Sequence, residues 1–246
     1  MEQTNAQTWM TTCIQEFIAH SPANSLQHQP GEKAWDEPLV GFSRGDDPIY
    51  AAYKEHVGQF HWTPWELFSL TFPDSEASPE QLTVICWVLP QTKATKADNR
   101  AETVYPAERW ARARIFGEAV NDTLRQHVVD TLHAAGYNAV APMLSPHWER
   151  KTSERHQGYS STWSERHAAY ASGLGTFGLC DGLITPRGKA MRVGSVVAQI
   201  QIPPTPRPYT HHQEYCLFLT DGICGKCIPR CPVGAISDAG HDKGLC

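Results

Sequence analysis

Apolar side chains recur at helical spacing at the start of the chain, where Trp9, Cys13, Phe17 and Ile18 mark a lead-in helix over residues 5–20. From Ser21 to Pro79 no period holds. Phe42, Tyr50, Tyr53, Phe60, Trp62, Trp65, Phe68 and Phe72 are interleaved with Pro and Gly, which predicts loops and short helices laid over a core. Leu82 to Leu89 is a continuous β-prone run closed by Pro90, the pattern of a strand buried on both faces in an α/β sheet. After a polar stretch at 91–104, whose mixed charges in Lys93–Glu102 predict a solvated face, a long helix starts near Pro106. Trp110, Ala113, Gly117, Val120, Leu124, Val128, Leu132 and Ala135 form its stripe at steps of three and four, and Gly136 is its expected left-handed terminator.

Asn138–Leu144 predicts a strand that Pro142 confines to an edge or stops early. Residues 145–162 are polar and carry His147, Arg150, Arg155 and His156. Ser164 then caps a short helix that Gly173 ends. Val193–Ile202 is a second β-prone run, and the prolines at 203, 204, 206 and 208 behind it make a stiff, extended boundary. No internal repeat is present. The order of elements predicts an α/β (α+β) chain with a cofactor or substrate domain over 1–205 and a small domain over 206–246.

Composition narrows the function classes. The chain has 246 residues, 41% of them apolar, and a formal charge of −5. It lacks the basic footprint of a protein that coats nucleic acid. Mean hydropathy is −0.42, and no apolar run approaches the roughly 20 residues of a membrane span. The N-terminus has no basic start, apolar stretch or twin arginine of an export signal, so the expected compartment is the reducing cytoplasm.

In that setting clustered thiols read as ligands. Five of eight cysteines fall in the last 31 residues, at 216, 224, 227, 231 and 246. The run Cys224-Gly-Lys-Cys227-Ile-Pro-Arg-Cys231-Pro232 matches the C-x2-C-x3-C-P end of a bacterial ferredoxin motif, with Gly225 and Gly234 allowing close backbone approach. A further cysteine is expected three residues upstream. Asp221 stands there, and the simplest replacement is Cys216. Four thiolates would also satisfy a structural zinc, although zinc ribbons pair two C-x2-C knuckles and this chain has one. The remaining alternative is disulfides. In two-cluster ferredoxins the cysteine before proline serves the second cluster. Either one atypical [4Fe–4S] cluster forms here, or the chain is a truncated form whose second motif would follow Cys246; the second reading is preferred.

The stretch Ser164-Glu165-Arg166-His167 through Gly173-Leu174-Gly175-Thr176-Phe177-Gly178, followed by Leu183-Ile184-Thr185-Pro186-Arg187-Gly188, a β-rich run and ferredoxin-type cysteines, resembles the epoxyqueuosine reductase family over about residues 160–246. The resemblance implies a nitroreductase-like domain holding cobalamin, a C-terminal ferredoxin-like domain with one [4Fe–4S] cluster, or two in a longer form, and a relation to reductive dehalogenases. Gly173, Gly175, Gly178 and Pro186 would then approach the cofactor, and Cys216, Cys224, Cys227, Cys231 and Cys246 would be the metal ligands. Implied partners are a low-potential electron donor of ferredoxin or flavodoxin type and a tRNA or small-molecule substrate, with no membrane. The family's proton-donating Asp falls at Tyr159 or Ser160, and no carboxylate lies between Arg155 and Ser164, which leaves Tyr159 as the candidate donor.

The G-x-G-x-x-G spacing of the three glycines is weak evidence for a dinucleotide, because it follows a helix and not a strand. Plain turn structure is the other reading. His211 and His212 are expected to line the cluster loop. Cys180 either neighbours the cofactor pocket or packs as a small apolar residue, and Cys13 and Cys86 belong to the core. Two alternatives to a reductase remain: an electron-transfer protein without substrate chemistry, and a zinc-stabilised structural or tRNA-binding protein.

Overall fold

Helix α1 (Gln3–His20) leads by an irregular segment into strand β1 (Leu39–Arg44) and helices α2 (Pro48–His56) and α3 (Pro64–Thr71). Strand β2 (Thr83–Pro90) is followed by α4 (Lys93–Ala101), α5 (Glu108–Ala134), and the short strand β3 (Ala139–Val140). Next come a hairpin of β4 (Arg150–Ser153) and β5 (Gly158–Ser161), helix α6 (Glu165–Ala171), and a hairpin of β6 (Thr176–Phe177) and β7 (Leu183–Ile184). Strand β8 (Met191–Ala198) completes the main sheet. The chain ends in α7 (Leu217–Asp221), α8 (Cys227–Arg230) and the pair β9 (Ile236–Ser237) and β10 (Gly240–His241). This computed structural model describes residues 3–153 and 158–246.

The main sheet has the order β1-β2-β8-β3, and every pairing in it is antiparallel. All eight residues of β2 are buried. The sequence read that run as a strand of an α/β sheet, and the reason it is apolar throughout is that helices cover both faces of an antiparallel one. Ile85, Trp87 and Leu89 pack with Phe42, Val196 and Ala198 against α1 and α5. Val84, Cys86 and Val88 face the other way, with Val193 and Val197, against α2, α3 and α6. Successive side chains of a strand point to opposite faces, so one run builds both cores.

The helices carry their own signals. In α2, Pro48 follows Asp47, whose side chain accepts from the Ile49 amide at 3.1 Å. In α3, Thr63 and Glu66 form a reciprocal capping box in front of Pro64. The stripe of α5 is buried at Ala113, Gly117, Val120, Leu124, Val128 and Leu132, and Gly136 adopts φ +85° just beyond its end.

Several expectations change. The region 21–79 holds a strand, β1, which its Leu-Val-Gly-Phe-Ser-Arg sequence concealed. The segment Lys93–Ala101 is a helix capped by Thr92, with Thr95 on its buried side. In α1 the fully buried stripe is Ala6, Met10, Ile14 and Ile18, with Trp9, Cys13 and Phe17 only partly covered beside it. The second β run spans Met191–Ala198, two residues earlier at its start and four at its end than its apolar pattern. Arg155 and His156 lie outside the described residues. Among the described residues no helix is long and apolar enough to cross a membrane.

The proline-rich segment after β8 runs along the free side of β1. The Thr205 amide donates to the Phe42 carbonyl at 2.9 Å, and the Phe42 amide donates to Thr205 Oγ1 at 3.0 Å. Arg207 pairs with Asp47 at 2.8 Å, so this strap leads the C-terminal segment back over α2.

Candidate functional site

The C-terminal thiols lie on one tight wrap. Cys216 is buried at the N-terminus of α7, where its carbonyl accepts from the Leu219 and Thr220 amides at 2.9 and 3.0 Å. Helix α7 ends at Gly222 in the left-handed region, and Cys224 (φ +90°) and Gly225 (φ +66°) reverse the chain again before Cys227 opens α8. Cys231 ends α8, and Gly234 at φ +67° turns the backbone around its sulfur. The Ala235 amide donates to Cys231 Sγ at 3.2 Å. Amides of Val233, Ala235, Ile236 and Gly234, the first of these foremost, hold the Cys231 thiol below its ordinary pKa and favour its thiolate. Burial pushes the Cys227 thiol up; Cys180 adds to the rise, Lys189 opposes it, and Cys216 contributes least. Cys246 is exposed at the chain end.

All eight cysteines are free thiols. Among the described residues no three His, Cys, Asp or Glu side chains converge to hold a metal ion. A tetrahedral zinc needs such a point. A four-iron cluster binds each thiolate to a different iron, so its ligands need not meet at one point.

The glycine block packs against the proline strap and its own hairpin. Helix α6 ends at Gly173, with φ +78° and its Cβ position 2.7 Å from the Pro206 carbonyl. A Cβ at Gly175 would overlap the carbonyl oxygen of Ile184, and one at Gly178 would press on the Ile184 side chain. Pro186 stands exposed at the tip of a turn in which the Gly188 amide donates to the Thr185 carbonyl at 2.9 Å. Each of the three glycines therefore makes room for the chain itself. The Cβ side of Gly175 and Gly178 faces Ile184 of β7, and that of Gly173 faces the proline strap.

The glycine block and the loop after it are tied to residues that flank the C-terminal thiols. The Phe177 amide donates to the His212 carbonyl at 2.6 Å, and the Tyr215 amide donates to Thr176 Oγ1 at 2.8 Å. Asp181, at φ +55°, meets His241 Nδ1 at 3.2 Å and Lys243 at 3.8 Å. Between these two segments lies a polar cleft of about 310 Å³, lined in part by Leu179, Asp181, Gln213, Asp238, His241 and Lys243. Drug-sized ligands fill cavities of roughly 300–1,000 Å³, so a corrinoid, which is larger, is not enclosed by it.

Tyr159 sits on β5 opposite Thr152 and is 77% exposed. Its neighbour Gly158 lies against Lys243, its Cβ position 2.5 Å from the Lys243 Cβ, which places the hairpin at the rim of the cleft.

Behind α6 is a group of side chains that the sequence did not single out. Glu165 accepts from Ser195 Oγ at 2.5 Å and faces Arg125 at 3.3 Å. Arg125 is 1% exposed and also meets Glu118 and Asp122, at 3.1 and 2.5 Å. Burial lifts the Glu165 carboxyl to about 6 against the pull of Arg125 and Ser195. His61 is 1% exposed, neither ring nitrogen has a hydrogen-bond partner among the described residues, and burial lowers its pKa to about 4. Burial also lowers His167, with His61 the next cause. The two rings lie 6.0 Å apart between Tyr53 and Trp163. His167 belongs to the Glu165-Arg166-His167 block and was findable from it; His61, a lone histidine among aromatics, carries no sequence signal.

No protein-family model and no curated protein matches this chain. Among solved structures it is similar to epoxyqueuosine reductase from Bacillus subtilis, at 18% identity over 85% of this chain and 51% of that one, with a TM-score of 0.43. An epoxyqueuosine reductase structure with a modified tRNA-Tyr stem loop is similar at 17% identity, 85% and 52% coverage and a TM-score of 0.46. A selenomethionine-labelled epoxyqueuosine reductase is similar at 13% identity, 98% and 55% coverage and a TM-score of 0.47. The chain spans about half the length of these structures.

Proposed function

We propose that this chain is an iron–sulfur oxidoreductase of the epoxyqueuosine reductase type, in which a [4Fe–4S] cluster passes electrons to a small polar substrate in the adjoining cleft. The observation that carries this reading is the series of tight turns bearing Cys216, Cys224, Cys227 and Cys231, with amides around the Cys231 sulfur and with Tyr215 and His212, just ahead of Cys216, bonded to Thr176 and Phe177 inside the Glu165–Gly178 block. When bound, the cluster would supply one-electron reduction. The chain's own residues would do the rest. Asp181 orients His241 through Nδ1 and leaves Nε2 for a proton on the substrate, while Lys243 supplies positive charge for an oxygen that becomes anionic. Tyr159, at the rim, is the second candidate donor. The domain division at the proline strap and the electron donor of ferredoxin or flavodoxin type belong to the same proposal.

A net charge of −5 favours a small molecule over a tRNA as the substrate. The cleft beside Asp181 and His241, at about 310 Å³, is too small to enclose cobalamin. An electron carrier without chemistry of its own is the second reading, favoured by the exposure of Cys224 beside Ile223 and Val233, each 57% exposed. Anaerobic reconstitution with ferrous iron and sulfide tests the first claim. It predicts a brown protein with about four irons per chain and a visible band that bleaches with dithionite. A colourless protein that takes up zinc in place of iron overturns it.

A further inference from the structure

We propose that Cys180 and Lys189 form a modification site, in which peroxide oxidation of the sulfur is captured as a covalent Cys–Lys link. The site uses neither the C-terminal thiols nor a bound metal.

The Lys189 ammonium donates to Cys180 Sγ. Two turns, one on either side of β7 in the chain, bring the groups together. In the first, the Gly178 amide donates to the Gly182 carbonyl at 2.9 Å and the Asp181 amide to the Gly178 carbonyl at 2.8 Å, with Cys180 at the bend. In the second, the Gly188 amide donates to the Thr185 carbonyl at 2.9 Å and Thr185 Oγ1 to the Gly188 carbonyl at 2.8 Å, which sets Lys189 just past the reversal. Gly182 leaves the space in which they meet. A Cβ there would lie 3.3 Å from both Cys180 Sγ and Lys189 Cε, and 3.5 Å from Lys189 Nζ. Sulfur and amine therefore converge over the bare Gly182 backbone.

Packing and ion pairing do not account for the pair. Cys180 is half-buried and belongs to neither core, unlike the fully enclosed Cys86. Lys189 is exposed, and among the described residues its hydrogen-bond partner is Cys180 and no carboxylate. An accessible cysteine enters the oxidation ladder as a sulfenic acid, which condenses with a neighbouring nitrogen. The Cys180 thiolate attacks one oxygen of a peroxide, the O–O bond breaks, and hydroxide leaves as the sulfur gains a hydroxyl. The Lys189 amine, after giving a proton to water, forms an S–N bond while the sulfenic oxygen departs as water with one N–H proton. The sulfur loses two electrons and the peroxide takes them up. An amine already in contact outcompetes dissolved nucleophiles, because the two turns have removed the entropy of bringing the reactants together. Thiol attack on the sulfur returns Lys189 as its amine and leaves a mixed disulfide, which a second thiol reduces. The next residue, Asp181, meets His241 and Lys243 in the polar cleft, so the link would fix a loop that carries a cleft residue.

The test treats the full chain with hydrogen peroxide, alkylates it and reads tryptic peptides by mass spectrometry. Cleavage after Arg166, Arg187 and Arg192, with none at a linked Lys189, defines the product as peptide 167–187 joined to peptide 188–192. It is lighter by two hydrogens than the two peptides together. The expected result is this product in wild type and its loss on treatment with dithiothreitol. It is also expected to be absent from Lys189→Arg, whose guanidinium stays protonated and cannot condense, so that Cys180 there proceeds to sulfinic acid. Cys13, with His127 and Thr131 beside its sulfur and no amine, serves as the control within the same chain and gives no linked peptide. Matching thermal melts of the untreated proteins establish that the variant folds, and the wild-type product stands as evidence without it. Sulfinic acid or a disulfide at Cys180 in wild type, with normal cleavage at Lys189, overturns the proposal, as does a link from Cys180 to any other lysine.

Discussion

Glu165 shows how one side chain of a recognisable motif can serve the fold. Its carboxylate is buried between Ser195 and Arg125 and is not among the residues that line the cleft. Burial dominates, and it lifts the folded pKa from an ordinary 4.5 to about 6. Below pH 4.5 both the folded and unfolded chains carry the proton. Between 4.5 and 6 only the folded chain does, so this group's contribution to stability falls as pH rises through that window, by about 2 kcal/mol. Glu165→Gln cannot ionise. Relative to wild type its stability is therefore expected to gain about 2 kcal/mol between pH 4.5 and pH 6.5, read from urea midpoints at the two pH values. An unchanged difference between variant and wild type across that range rules out the assignment. In the sequence, Glu165 was legible as part of a motif, while its partners Arg125 and Ser195, 40 and 30 residues away, were not.

Among elements, legibility followed pattern strength. Strand β2 and helix α5 stand out because an unbroken apolar run and a long stripe at steps of three and four admit few other structures. Strand β1 was hidden because Gly41 and Ser43 break its apolar pattern. Ser43 bonds to Tyr50 at 2.7 Å and to Ser172 at 3.1 Å, so its polarity is answered by tertiary contacts that no local window contains. Gly175 carries the opposite lesson. Its spacing suggested a cofactor loop, and its physical role is to let the β6–β7 hairpin close on the Ile184 carbonyl. Gly175→Ala is expected to cost about 1–3 kcal/mol through forced repacking, seen as a lower denaturant midpoint. A neutral outcome would mean that the hairpin has slack and that the glycine is kept for another reason. The thiol wrap was the most legible part of the site, because C-x2-C-x3-C-P is a local signature. The Asp181–His241 pair joins a loop to β10 60 residues away and was visible only in the fold.

At the scale of the whole molecule, opposing titrations decide the response to acid. His61 is buried and neutral, with its pKa lowered from 6.5 to about 4, and the unfolded chain takes a proton first as pH falls. Its contribution is fully present above pH 6.5 and is lost between 6.5 and 4, by about 3 kcal/mol, and the lowered pKa of His167 adds in the same direction. These terms exceed the 2 kcal/mol of opposite sign from Glu165. The protein is therefore expected to be less stable at pH 4.5 than at pH 6.5, and His61→Phe, which fits the aromatic surroundings of Tyr53 and Trp163, is expected to reduce that difference. Thermal melts of both proteins across the range check this, and equal acid sensitivity would remove His61 as a cause.

The proline-rich strap has a consequence for behaviour in crowded solution. An outer strand with free backbone groups is a template on which a neighbouring chain can extend the sheet, the first step toward aggregates. Thr205 occupies both free groups of Phe42, and the prolines on either side of it have no amide hydrogen to offer an incoming strand. The segment that carries the chain toward its thiols also denies an incoming strand the Phe42 position on this edge.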